Sequence, residues 1–174
     1  VTGVQTCALP IYTVKGVCID LRGNHGGNMY PMIAAVHRFL PDDILLKFKM
    51  RRRFRSVMPI NKEFVANLVG VEIESRINCP VAILTDEETA SSGEAVLLCF
   101  RGLDNVRVFG SPTAGYASAN ESIILDNGSI LALTVSCDIA RTGEIFCDDP
   151  IVPDVETESP AAGRTMGAQR VGPD

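Results

Sequence analysis

Thr89-Ala90-Ser91-Ser92-Gly93-Glu94 stands between two apolar runs, Val81-Ala82-Ile83-Leu84 and Ala95-Val96-Leu97-Leu98-Cys99-Phe100. A strand that ends in small residues and opens straight into a helix holds its first serine at a sharp turn. The N–H groups of the helix start are unpaired there and face one space. Ser91 in that place could be a nucleophile whose product is an oxyanion, with the N–H of Ser92 as one donor. The same residues also read as an ordinary helix start, because serine followed by Glu94 resembles a capping box. Glu94 has two readings of its own: a carboxylate that satisfies helix-start N–H groups, or a member of an active-site network.

A nucleophilic serine needs oxyanion donors, a base, and a group that orients the base. In Gly23-Asn24-His25-Gly26-Gly27-Asn28, the N–H groups of Gly26 and Gly27 could meet a substrate carbonyl, or the pair could serve only the turn and close packing. It is not a dinucleotide fingerprint, since G-x-G-x-x-G is absent. His25 and His37 are the two histidines. His25 sits in the glycine loop, and His37 falls on a helix, where it is expected to be packed or partly exposed. No cysteine pair has CxxC spacing, so a structural zinc site is not expected; no other metal or cofactor is expected either. Cys18 and Cys99 lie in apolar runs and read as small buried hydrophobes. Cys137 and Cys147 flank Arg141-Thr142-Gly143-Glu144 and could face each other across two strands.

The elements that must position these residues follow from periodicity. Val14–Leu21 is an apolar, β-branched run that reads as a buried strand entering the glycine loop. Met29, Met32, Ile33, Val36, Phe39 and Leu40 recur at helical steps, with Asn28 as N-cap and Pro31 tolerable in the first turn. Ile44–Phe54 alternates as a half-exposed strand. Its end, Arg51-Arg52-Arg53 with Arg55, could bind a carboxylate or be a solvated face. Asn61–Leu68 reads as a short helix with Phe64, Val65 and Leu68 on one side. Val81–Leu84 and Val106–Gly110 read as strands on either side of the Ser91 helix. Glu121–Asp126 and Ser129–Cys137 form a hairpin about Asp126-Asn127-Gly128. Strand and helix alternate and a hairpin follows, which predicts an α/β layer with an antiparallel addition. In such a sheet the loops 23–28, 89–94 and 111–116 gather at the carboxyl ends of the strands, where ligands bind.

Composition narrows the function. The chain has 174 residues, 46% hydrophobic and 21% charged, with a net charge of −5. That suits one globular domain and argues against nucleic acid as a partner. No apolar run reaches bilayer length. Val1 to Ile11 resembles translated sequencing-adapter DNA, so residues 1–13 are expected to be a non-native leader. Residues 14–157 are expected to form a partial catalytic domain cut on its upstream side, and 158–174 a loose tail.

Val17-Cys18-Ile19-Asp20-Leu21-Arg22-Gly23-Asn24-His25-Gly26-Gly27 resembles the D-L-R-x-N-x-G-G motif of the S41 serine peptidases, the family of the carboxyl-terminal processing and tricorn-type proteases. Val81–Glu94 is similar to that family's V-A-V-L-T-D-x-x-T-A-S-A-S-E motif. Gly110-Ser111-Pro112-Thr113-Ala114-Gly115, Asp126-Asn127-Gly128 and Pro153-Asp154 fall in the family's order. The resemblance implies a ClpP/crotonase-like α/β fold, a peptide or protein substrate, Ser91 as nucleophile, and an oxyanion hole of Gly26 or Gly27 with Ser92. In the processing proteases a lysine base follows the nucleophile by 25 residues, but here that position is Tyr116. The Pro112–Asn120 pattern fits the tricorn-like branch better, which implies a histidine base from upstream of Asp20-Leu21-Arg22. Asp148 and Asp149 are candidates for orienting that base, and Thr113, Gly115, Tyr116 and Asn120 for contacting substrate. The family also leans toward exported bacterial proteins. Two other readings stand beside the peptidase. Retinoid-binding modules of the eye's interphotoreceptor matrix, similar to this family, imply a non-catalytic binder of hydrophobic ligands or peptides. Acyl-CoA chemistry on the crotonase scaffold would leave Ser91 without a role.

Overall fold

A computed structural model describes residues 14–50 and 56–157. The expected leader, the Arg51–Arg53 and Arg55 cluster and the expected tail lie outside the described residues.

The strands form two sheets. β1 (Val17–Asp20), β4 (Val81–Thr85), β5 (Val106–Gly110) and β9 (Val155–Glu156) are all parallel, in the order β1-β4-β5-β9. The second sheet is antiparallel, in the order β3-β2-β7-β6, from β2 (Ile44–Met50), β3 (Val57–Asn61), β6 (Ser118–Ile124) and β7 (Ile130–Ile139). A short β8 (Ile145–Phe146) pairs with the end of β7. The antiparallel part is therefore larger than the expected hairpin. The hairpin itself forms as expected, with Gly128 at φ 81 in its turn. Its outer half is exposed.

Three helices connect and separate the sheets: α1 (Met29–Val36), α2 (Lys62–Val69) and α3 (Ser92–Phe100). α1 starts under an Asn28 cap, whose Oδ1 accepts from the Tyr30 N–H at 3.1 Å, and continues as a 3-10 turn over His37–Phe39. Every residue of α3 is buried. A helix apolar on all sides belongs at the centre of a fold. α3 packs against α1 and β2, and its side chains share one core with Ile83 and Val108 of the parallel sheet and Leu46 and Phe48 of the antiparallel one.

Two expectations need correcting. Cys18 is exposed rather than buried, although Cys99 is fully buried. β1 alternates between half-buried and exposed positions, and Cys18 takes one of the exposed ones. On α2, Val65 and Ala66 are buried with the Lys62 side chain, while Phe64 and Leu68 are exposed. Phe64 meets the Tyr30 ring at 5.9 Å instead of joining the core.

Candidate active site

Ser91 stands one residue before α3, at the carboxyl end of β4, with φ 52 and ψ −114. It is the one residue other than glycine with positive φ among the described residues. An ordinary N-cap has extended backbone, so this conformation is not that of a simple cap. A strand-to-helix turn of this kind pushes a serine hydroxyl out above the sheet, at a backbone cost of about 1–3 kcal/mol that the surroundings must offset.

Those surroundings are the three loops. Gly26, at φ 98, lies flat against the serine, and a Cβ there would sit 2.8 Å from the Ser91 Cβ and 3.2 Å from its Oγ. Only glycine fits. The Asn24 carbonyl accepts from the Ala90 N–H at 2.8 Å, and the Ser92 hydroxyl donates to the Gly27 carbonyl at 2.7 Å. Below them, the buried Asp86 carboxylate accepts from the N–H groups of Gly23, Glu88 and Thr89. The Thr89 hydroxyl accepts from the Asp86 N–H and donates to the Leu21 carbonyl at 2.9 Å.

Glu94 ties in the third loop. Its side chain is fully buried. Oε2 accepts from the N–H groups of Ser91 and Tyr116, each at 2.8 Å. Oε1 accepts from the Thr113 hydroxyl at 2.5 Å and the Gly115 N–H at 2.9 Å. Glu94 thus satisfies the helix-start residue, as the capping reading expected, and also binds the loop after β5. The Thr113 hydroxyl accepts in turn from the Ile151 N–H at 2.8 Å. A Cβ on Gly115, at φ 85, would lie 3.0 Å from the Pro150 nitrogen.

The expected oxyanion donors divide. The Gly26 N–H is taken by Asn24 Oδ1 at 3.0 Å. Among the described residues no acceptor is recorded for the N–H groups of Gly27 and Ser92. Gly27, Ser91 and Ser92 line a cleft of about 590 Å³ whose floor is the antiparallel sheet, with Phe48, Met50, Met58, Asn120 and Ser136. Two unpaired donors beside a serine hydroxyl can stabilise a developing oxyanion.

The other expected residues fall into distinct places. Asn120 lines the cleft and accepts from the Thr134 hydroxyl at 2.9 Å. Thr113 and Gly115 are buried behind it around Glu94, and the Tyr116 side chain is exposed. Asp148 and Asp149 are exposed, with Asp149 next to Pro150 against Gly115. His25 is exposed in the glycine loop. His37 has both ring nitrogens engaged: Nδ1 donates to the Ala34 carbonyl at 2.6 Å and Nε2 accepts from the Glu74 N–H at 3.2 Å. Cys137 and Cys147 are joined by a disulfide. No cluster of His, Cys, Asp and Glu suited to a metal occurs among the described residues, and no helix among them is long and apolar enough to cross a membrane.

Asn24, Asp86, Thr89 and Asp138 hold or underlie the site, and the sequence pattern assigned a site role to none of them, although Asn24 and Thr89 lie in its candidate loops. For Asp86 and Thr89 a local signal existed, since an aspartate that accepts from the N–H groups two and three residues on is a common turn. Asp138 had no such signal. It is 2% exposed, and burial, with the nearby Glu94 charge adding to it, pushes its carboxyl up to about 7.

Comparison with known proteins gives the family. The model of peptidase family S41 matches residues 7–157. The chain belongs to this family. It is 36% identical over 149 residues to the nisin-resistance protein of Lactococcus lactis subsp. lactis, covering 83% of this chain and 47% of that protein. It is 27% identical to the carboxy-terminal processing protease CtpA of Bacillus subtilis (strain 168), covering 84% of this chain and 29% of that one. The structure of a lipoprotein from Streptococcus agalactiae superposes with a TM-score of 0.73 at 37% identity, over 82% of this chain and 50% of that chain. The chain thus spans half or less of the length of these relatives. The S41 chain has the ClpP/crotonase-like α/β fold of its family, as its motifs implied.

Proposed function

We propose that this chain is the catalytic region of a serine endopeptidase in which Ser91 is the nucleophile. The observation that carries this reading is the strained Ser91 backbone beside two unpaired N–H groups, those of Gly27 and Ser92. The Ser91 hydroxyl attacks a peptide carbonyl carbon and gives its proton to a base, while the oxyanion forms against the two N–H groups. The amine leaves with that proton and an acyl-enzyme remains. Water, deprotonated by the same base, then releases the acid and frees Ser91.

The base is a histidine upstream of Asp20-Leu21-Arg22. In support, both nitrogens of His37 are occupied, and no lysine stands after Lys62. Asp148 or Asp149 orients it. The substrate is a peptide or protein segment laid along the cleft next to β6, an edge strand to which an extended chain can add. The disulfide supports an extracytoplasmic location, because such bonds persist in oxidising compartments.

Cleavage of an unstructured protein such as casein, and of nisin, by the full-length protein and its Ser91→Ala variant tests the reading. Cleavage by the parent that the variant lacks is expected, and residues 12–174 alone are expected to show little or none. Equal cleavage by parent and variant would refute the role of Ser91. The apolar cleft lining of Phe48, Met50 and Met58 favours a second reading, a module that holds a hydrophobic ligand. That reading requires no cleavage by any form and ligand binding that survives Ser91→Ala.

A further inference from the structure

The carboxyl end of β7 carries two polar side chains that the hydrolytic reading leaves without a task. Ser136 and Asp138 are two apart on one strand and so face the same side of the antiparallel sheet. That side is the cleft floor, because Ser136 lines the cleft, as does Phe48, the cross-strand partner of Asp138. Ser136 is 1% and Asp138 2% exposed. Neither Ser136 Oγ nor Asp138 Oδ1 has a partner among the described residues. A buried carboxylate oxygen without a donor is costly if the group is charged and much less so if it is a neutral acid.

Asp138 also sits under the segment that holds Glu94. Its N–H donates to the Ala117 carbonyl at 3.3 Å, and Ala117 follows Tyr116, whose own N–H is on Glu94. The groups facing Asp138 are few. α3 presents the Glu94 carboxylate and the Cys99 thiol, and Arg141 lies beyond the end of β7 with Nη2 on Asp43 at 2.9 Å. Lys47 and Lys49 of β2 flank Phe48 and alternate to the other face. β8 brings Ile145 and Phe146. Among the described residues no cation is paired with Asp138, and the charge that acts on its carboxyl is another carboxylate, that of Glu94.

We propose that Asp138 is a positioning residue for Ser91. As a neutral acid beneath residues 113–117 it leaves the Glu94 carboxylate unopposed in gathering the N–H groups of Ser91, Gly115 and Tyr116, and when it ionises the repulsion loosens that turn. The consequence is an upper pH limit on the reactivity of Ser91, near neutrality, set by a group that never touches substrate. The carboxyl's upward displacement to about 7 supports that limit. The proposal rests on the reading of Ser91 as nucleophile, but one arm of its test does not.

The rate of Ser91 labelling by a fluorophosphonate is measured on the full-length protein between pH 5.5 and 9.5, for the parent and for Asp138→Asn, which keeps shape and neutrality. The parent rate, relative to the variant's, is expected to fall about tenfold between pH 7 and 8.5, as a single essential acid loses its proton. A ratio that stays constant with pH overturns the proposal. A purely structural role would shift both rates at every pH alike. The second arm follows the amide resonances of Ser91, Gly115 and Tyr116 in the unsubstituted protein. They are expected to move together with a midpoint near neutrality that Asp138→Asn removes. Amides that do not titrate, or that titrate unchanged in the variant, overturn it whether or not Ser91 labels. Loss of the Ser91 reading alone would show as equal labelling of the parent and Ser91→Ala with the amide titration intact.

Discussion

A single carboxylate holds the geometry of Ser91. Glu94 is fully buried with four donors on its two oxygens, so removing it strands three N–H groups and a hydroxyl in the core. Glu94→Ala is expected to cost about 3 kcal/mol or more, the scale for breaking a buried, charged hydrogen-bond set, read from the shift in urea midpoint. Glu94→Gln should cost less and still slow labelling of Ser91, because an amide offers one acceptor oxygen where two are used. Asp138 acts in the opposite sense. Its carboxyl titrates near 7 in the folded chain but near the ordinary carboxylate value when unfolded. The unfolded state therefore gives up this proton first, and the stability that the proton confers is lost as pH rises from about 4 through 7, with no further loss above. Asp138→Asn is expected to gain roughly 2–4 kcal/mol relative to the parent over that window and then level off, measured by urea unfolding at each pH. A difference that does not change with pH would contradict the buried-acid assignment.

At the scale of elements, the site is a junction of strand ends locked from behind. The segment 147–151 runs from the Cys137–Cys147 disulfide to Ile151, whose N–H and carbonyl both engage Thr113. The disulfide thereby fastens the loop that supports Glu94 to the strand that floors the cleft. Replacing both cysteines by alanine is expected to cost about 3 kcal/mol by the loop-entropy relation, seen as a lower urea midpoint, and to slow Ser91 labelling without abolishing it. Much of this level was readable from sequence. Helical spacing identified α1 and α2 and partial alternation the strand from Ile44, while apolar runs marked the strands near 17–20, 81–85 and 106–110 and, after the small residues 89–93, the start of α3. β3 at Val57–Asn61 went unseen, since its apolar residues Val57 and Met58 are exposed and Pro59 breaks the pattern. The exposed Phe64 and Leu68 misled for the related reason that helical spacing tells which residues share a face but not which face meets the core. The disulfide was visible as a possibility from the spacing across Arg141–Glu144, and the antiparallel register of β7 with β8 brings its two cysteines opposite each other.

Across the whole molecule, a fully buried helix is held between a parallel and an antiparallel sheet, and Ser91, the proposed nucleophile, immediately precedes its first turn. That placement explains why the three loops converge: β1, β4 and β5 are parallel neighbours, so their carboxyl ends open on one side. The convergence followed from the sequence once the strands were named. The contacts that hold the loops together did not, because Asn24 to Ala90, Asp86 to Gly23 and Glu94 to Thr113 join residues 19 to 66 apart in sequence, and no local pattern encodes such pairings. In this setting Ser91 is proposed to form a covalent acyl-type intermediate. The most direct measurement is to treat the full-length protein with a fluorophosphonate and locate the adduct by peptide mass mapping. One adduct, on Ser91 and lost on prior denaturation, is the expected result, whereas an unmodified Ser91 beside a labelled residue elsewhere would contradict the account.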